Sequence, residues 1–254
     1  MKSSDNRHYA NPTIQEAMCE IRFETDPPSW DPAINGKFFS NIKDDFPYIE
    51  AIPHPIQFVN IPNAQNGITE LPSSLIFHAM RYRHINRSLL IQLFQNRIVL
   101  NSIGSYGGWS VFEEDILKMW RNVIDVINPS LITYVGLRYI NRIERSEQNE
   151  TLGAWFEPND YMASALFDSY PGFLSVVQKK YDLSNRVNVI VGEMDSPNVN
   201  RAFSFDIDRG IEKNILAETD SLTTIIRELH QDVWNIFSKA KGQKLEQLLK
   251  GEIL

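Results

Sequence analysis

From Met18 to Thr25, apolar Cys19, Ile21 and Phe23 alternate with polar Glu20, Arg22 and Glu24, a period of two that predicts a strand with one buried face. Beyond Pro27, Pro28 and Pro32 the spacing changes. Ile34, Phe38, Phe39, Ile42 and Phe46 recur at helical intervals, so a helix is expected from Pro32 to Asp45, ended by Pro47. The stretch up to Pro72 is rich in Pro, Asn and Gly and reads as loop with a short edge strand at Ile56 to Asn60. Two strands, Leu75 to His84 and Ser88 to Gln95, are expected to meet at an Ile85-Asn86-Arg87 turn, with a third from Arg97 to Ile103. Gly104, Gly107 and Gly108 break this sheet. Ser110 and Glu113 then have the spacing of a capping box, and Phe112, Ile116, Met119, Trp120, Val123 and Ile127 mark the apolar face of a helix that Pro129 ends.

The second half repeats the order. Leu131 to Glu144 is a long strand, Glu157 to Asp168 a short helix, and Phe173 to Asp182, Arg186 to Glu193 and Arg201 to Arg209 three more strands. A last helix starts near Asp220, with Leu222, Ile225, Ile226, Leu229, Val233, Ile236 and Phe237 in a stripe of period 3.6. The expected fold is α+β: two pseudo-repeats of strand, helix, antiparallel strands and helix, residues 1–129 and 130–254, forming one continuous curved sheet with the helices on one face. Past Phe237 and a Lys239-Ala240-Lys241-Gly242 interruption, Leu245, Leu248, Leu249, Ile253 and Leu254 stay apolar to the end. A stub this short is marginal as an isolated helix. Its leucines need a surface, either this chain's core or a protein partner or second copy.

Apolar runs are too short to cross a bilayer, the N-terminus has no signal-peptide stretch, and the lone Cys19 excludes an intramolecular disulfide. The expected location is the cytoplasm, with no membrane partner. A formal charge of -7 opposes nucleic acid on average, but the charge is uneven. No Asp or Glu lies between Leu71 and Phe112, where Arg81, Arg83, Arg87 and Arg97 fall beside His78 and His84. Lys179, Lys180 and Arg186 occupy the corresponding hairpin of the second half. These seven are the candidate anion-binding residues.

Asp206 and Asp208 alternate on a strand, with Glu193 and Asp195 ending the strand before it, the candidate set for a divalent metal. Glu20 and Arg22 share a face of the first strand, and Arg138 and Arg142 share one on its counterpart, so structural ion pairs across a shared ladder are expected. Phosphate loops, nucleophile elbows and paired-histidine metal motifs are missing from the sequence. No catalytic residue and no cofactor follow from it.

The segment Asn11-Pro12-Thr13-Ile14-Gln15-Glu16-Ala17-Met18-Cys19-Glu20-Ile21-Arg22-Phe23 resembles the opening of a sporadically distributed family of uncharacterised bacterial proteins of about this length. Tyr106-Gly107-Gly108-Trp109, Gly136-Leu137-Arg138-Tyr139-Ile140-Asn141-Arg142-Ile143 and Phe205-Asp206-Ile207-Asp208 are similar to further landmarks of that family. The resemblance implies a bacterial or archaeal origin and no established activity. The element order also resembles the duplicated TATA-binding-protein-like fold, an analogy of architecture alone. The favoured reading is a non-enzymatic binding or assembly protein. Its rivals are a nucleic-acid or nucleotide binder using the basic hairpins and a metal-dependent hydrolase centred on Asp206 and Asp208.

Overall fold

The computed structural model describes residues 9–25, 31, 33–53, 77–147, 149–167, 172–194 and 201–253. Its strands are β1 (Ile14–Glu24), β2 (Tyr48–Pro53), β3 (Phe77–Arg83), β4 (Leu89–Leu93), β5 (Arg97–Ile103), β6 (Leu131–Glu144), β7 (Leu174–Lys180), β8 (Asn185–Met194) and β9 (Ala202–Leu216). Its helices are α1 (Ala33–Ile42), α2 (Trp109–Ile127), α3 (Leu152–Trp155), α4 (Thr219–Ala240) and α5 (Gln243–Lys250). All nine strands form one antiparallel sheet in the order β2-β3-β4-β5-β1-β6-β9-β8-β7. The class is α+β.

Alternation decides which face is covered. On β1, Ala17, Cys19, Ile21 and Phe23 are buried, as are Val135, Leu137, Tyr139 and Ile143 on β6 and Phe203, Phe205 and Ile207 on β9. They join Phe38 of α1, Ile116, Trp120 and Val123 of α2, and Leu222, Ile226 and Leu229 of α4 in one core. α1 packs on α2, α2 on α4, and α4 on β6 and β9. Burial at this depth contributes about 1.5–3 kcal/mol for each large apolar side chain. Burial also pushes the Cys19 thiol far above its ordinary value, so it stays protonated and inert.

Several elements differ from the sequence pattern, each for a local reason. The predicted edge strand at Ile56 to Asn60 lies outside the described residues. Tyr48–Pro53, read as loop, is a strand because β3 offers it a ladder. The Ser110/Glu113 capping box does not form: the helix starts two residues earlier, with Gly108 at the cap position at φ 92 and no side-chain cap, and Glu113 instead receives Arg227 of α4. The expected helix at Glu157 to Asp168 does not form: the four-residue α3 precedes that span, a 3-10 turn at Ser164–Leu166 falls within it, and Asp168 lies outside the described residues. Pro158 lies inside the predicted span, and Asn159 Oδ1 accepts the Tyr161 N–H (2.8 Å), a turn that competes with helix. β9 runs past Arg209 to Leu216, since β6 supplies partners as far as Leu131.

The C-terminal segment requires the largest correction. Leu245, Leu248 and Leu249 do not present a surface to a partner, because they are buried in this chain's own core; Leu254 lies outside the described residues. The Asn11 N–H donates to the Leu249 carbonyl (3.0 Å), and the Gly242 N–H to that of Trp155 (2.8 Å). Among the described residues no helix is long and apolar enough to cross a membrane. Leu245→Ala should therefore lower unfolding free energy by roughly 2–5 kcal/mol in urea titration and leave the solution mass unchanged.

Candidate functional site

The sheet face turned away from the helices holds most of the sequence-predicted residues, and the register places them. Lys180, Arg186, Gly210, Gly136, Glu20, Val99, Gln92, Arg81 and Glu50 form one row across all nine strands. The next row runs Gln178, Asn188, Asp208, Arg138, Met18, Asn101, Leu90, Arg83 and Tyr48. Arg81 and Arg186 are thus six strands apart, about 29 Å at ~4.8 Å per strand. The two basic hairpins lie at opposite ends of the sheet and do not form one patch.

Most of these cations already have partners. Arg81 Nη1 reaches Glu50 Oε2 (3.1 Å), and Arg97 lies 3.7 Å from Glu20 and over the Phe94 ring. Arg87 leaves this face and grips Asp115 of α2 with both terminal nitrogens. Arg83 sits over Tyr48 (5.9 Å), and Lys179, on the helix side, lies near the rings of Tyr161 and Tyr181. Lys180 and Arg186 pair in register at the β7 end.

The aspartates are engaged as well. Arg138 holds Asp206 in a fork, Nε to Oδ1 at 2.9 Å and Nη2 to Oδ2 at 2.6 Å, while Asp208 accepts from Asn188 Nδ2 at 3.0 Å. Glu193 points to the opposite side of the sheet, paired with buried Arg145 and with Arg201, each at 2.9 Å. Asp195 lies outside the described residues. Among the described residues, no group of three or more His, Cys, Asp or Glu side chains is placed to hold a metal ion. Glu20, Arg22, Arg138 and Arg142 all sit in ion pairs, but none bridges β1 to β6. Glu20 faces Gly136 there and Arg138 faces Met18, so Glu20 turns to Arg22 (2.7 Å) and Arg142 to Glu144 (2.6 Å).

The residue that sequence reasoning missed is Tyr134. Its ring lies across Gly136 and Gly210, neighbours in the ladder, where an added Cβ at either would come within 2.5 Å of the phenol oxygen. Arg22 sits 4.4 Å and Arg186 5.6 Å from the ring centroid. Burial raises the phenol above its ordinary value. The visible signal was Gly136 within a predicted strand, the mark of a close approach, whereas Gly210 fell just past the end of another.

Under the helices, Pro12, Thr13, Ile14, Tyr106, Gly108, Trp109, Tyr139, Asn141 and Ile207 line one cavity together with His230 and Trp234 of α4. All four segments that carry the family resemblance meet here. Trp109 stacks on His230 (4.0 Å, 8°), and Thr13 Oγ1 donates to Asn141 Oδ1 (3.0 Å). The cavity measures about 80 Å³, against roughly 150 Å³ for one that admits benzene. It has room for solvent, and the aromatic set serves to pack α4 and the start of α2 on β6.

A third site is polar. His84 Nδ1 accepts the N–H groups of Asn86 (3.0 Å) and Arg87 (3.1 Å), building the turn before β4, and the Ile85 N–H docks that turn on the Asp45 carbonyl (2.8 Å). Burial and the Arg87 guanidinium hold the imidazole below its ordinary value, against the Asp45 and Asp115 carboxylates. Lys118 pairs with Asp45 (2.6 Å) beside it.

Two outcomes are expected. Gly136→Ala should cost roughly 1–3 kcal/mol, and most of that cost should vanish in a Tyr134→Ala background, measured as a double-mutant cycle. For His84 the folded value is lowered, so the unfolded chain binds protons first. Its stability contribution is full above about pH 6.5 and is lost as pH falls below that. Between pH 7.5 and 5 the wild type should lose more of its urea midpoint than His84→Asn, which keeps an acceptor for the turn without titrating. Compared with known proteins, the chain matches no family model and no curated protein.

Proposed function

We propose that this is a non-enzymatic binding protein whose working surface is the helix-free face of the sheet, and that its partner is a protein. One observation carries the reading. The charges on that face are largely matched within the molecule, Arg81 with Glu50, Arg97 with Glu20 and Arg138 with Asp206, while apolar Tyr48, Ile103, Leu174 and Val176 stand exposed among them. A polyanion needs unspent positive charge; a protein interface tolerates paired charges at its rim and needs apolar anchors.

We propose further that residues 1–129 and 130–254 are two pseudo-repeats. The strand order supports this: β5, β4 and β3 extend from β1 as β9, β8 and β7 extend from β6, and α2 and α4 follow β5 and β9 in the chain. The joint between the two units then falls at the β1–β6 pair, and the helix-free face is shared by both.

A photo-crosslinking residue placed at Ile103 should capture a protein partner in the native cells, whereas one at Glu228, on the exposed side of α4, should not. Crosslinks confined to Glu228 would overturn the assignment of the face. Oligonucleotide binding that weakens steeply with salt and is lost in the Arg81→Ala/Arg83→Ala variant would favour the nucleic-acid reading instead.

A further inference from the structure

The sheet ends at β7, and that edge is unlike the rest of the surface. Leu174 is 73% exposed and Val176 62%, side by side on the helix-free face, and Leu183 in the adjoining turn is 99% exposed. The first four residues, Leu174-Ser175-Val176-Val177, carry no charge and no proline. Bare edges of this kind template another strand unless a charge, proline or bulge blocks them. Lys179 and Lys180 come only at the far end.

The ladder fixes which backbone groups are free. The Tyr181 N–H donates to the Asn185 carbonyl and the Glu193 N–H to that of Phe173. With the β7–β8 register, this assigns the inward bonds to Ser175, Val177 and Lys179. The N–H and C=O groups of Leu174, Val176, Gln178 and Lys180 therefore point outward, and no backbone group of another described residue pairs with them. The same four residues turn their side chains to the helix-free face. Backbone donors, apolar side chains and a terminal cation thus present one code along one edge.

We infer that β7 accepts an extended segment of a partner protein as a tenth strand, with apolar residues opposite Leu174 and Val176 and a carboxylate opposite Lys180. This deepens the proposed protein-binding role and rests on it. Lys180 supplies the charge complementarity: Arg186 stands directly behind it in the same row, whereas Lys179 is turned to the other face. A second copy of this chain fits less well. Two β7 strands paired antiparallel about Val177 would set each Lys180 opposite a Leu174, and would bring together two chains of formal charge -7.

The test uses end-blocked, fluorescein-labelled peptides in polarisation assays with the full chain. One alternates polar residues with Glu, Thr, Val and Ile in the order that faces Lys180, Gln178, Val176 and Leu174; the control carries Lys for Glu. The wild type should bind the acidic peptide and not the control. Val176→Pro removes an outward donor while leaving the β7–β8 bonds intact, and should weaken binding at least ~10-fold with unchanged circular dichroism. Lys180→Glu, which touches no backbone bond, should reverse the preference between the peptides. No binding by the wild type, or equal binding by Val176→Pro, overturns strand addition. A wild-type dimer that Val176→Pro converts to monomer in sedimentation overturns it in favour of a second copy. If strand addition alone fails, crosslinking from Ile103 still finds its partner and Val176→Pro leaves that crosslink unchanged; if the binding role itself fails, Ile103 captures nothing.

Discussion

The pairing of β1 with β6 is the constraint on which the other features depend. β1 is bonded on both sides, to β5 and to β6, so it makes a single sheet from two sets of strands. It also sets parity for every neighbour. A slip of one residue would move Glu20 and Arg22 under the helices and expose Cys19 and Ile21, exchanging all buried and exposed positions at once. Irregularities between Ile14 and Glu16 and between Arg22 and Phe23 bracket the seam, and Tyr134, seated on Gly136 and Gly210, faces Arg22 at one end of it. It is the β6–β9 register that sets Gly210 beside Gly136 under that ring.

With parity fixed, the charges sort into two kinds. Those on the helix-free face meet neighbours directly opposite (Arg81 and Glu50), diagonally (Arg97 and Glu20, Arg138 and Asp206) or two residues along the same strand (Arg22 and Glu20, Arg142 and Glu144), and partly exposed pairs of this sort contribute about 0–1 kcal/mol each. They spend much of the charge on that face, with Lys180 and Arg186 side by side at the β7 end. Those on the helix side are different. The Arg145 side chain is fully buried against Glu193, with its Nε donating to the Arg201 carbonyl (2.9 Å). Arg209 reaches from β9 to Asp232 of α4 (2.9 Å) while its Nη1 donates to the carbonyls of Arg186 and Gly210. Removing one partner from such a buried pair costs about 3–5 kcal/mol because the other is stranded. These pairs position the helix layer and the strand ends; the outer pairs offset charge on the open face.

Most of the sheet was legible in the sequence because it is half-buried, and half-burial writes a period of two. Cys19, Ile21 and Phe23 announced β1, and the stripe of α4 announced its buried face. What failed was decided by tertiary partners. Nothing local in Tyr48–Pro53 distinguishes a strand from a loop until β3 is beside it. The capping box had correct spacing, yet Gly108, free to take positive φ, started the helix first. The candidate chemistry was harder still. Asp206 and Asp208 looked like ligands because carboxylates alternate on one face, but their partners, Arg138 and Asn188, lie on other strands and came into view only with the register. The same holds for the two basic hairpins, close in character and separated by most of the width of the sheet.

The two edges of the sheet complete the physical picture, because they are protected unequally. β2 is bracketed by Pro47 and Pro53 and carries Glu50 at its middle, joined to Arg81, which are ordinary means of stopping strand addition. β7 has neither proline nor carboxylate, and its apolar Leu174 and Val176 are exposed. The leucines of α5 are buried, and Tyr48, Ile103 and Leu216 are exposed less than Leu174 and Val176. Leaving Leu174 and Val176 in water forfeits about 1.5–3 kcal/mol for each if fully buried, a cost recovered when a strand covers them. Among the described residues the β2 edge is closed by proline and a paired carboxylate and the β7 edge is not, which is the asymmetry that strand addition at β7 would use.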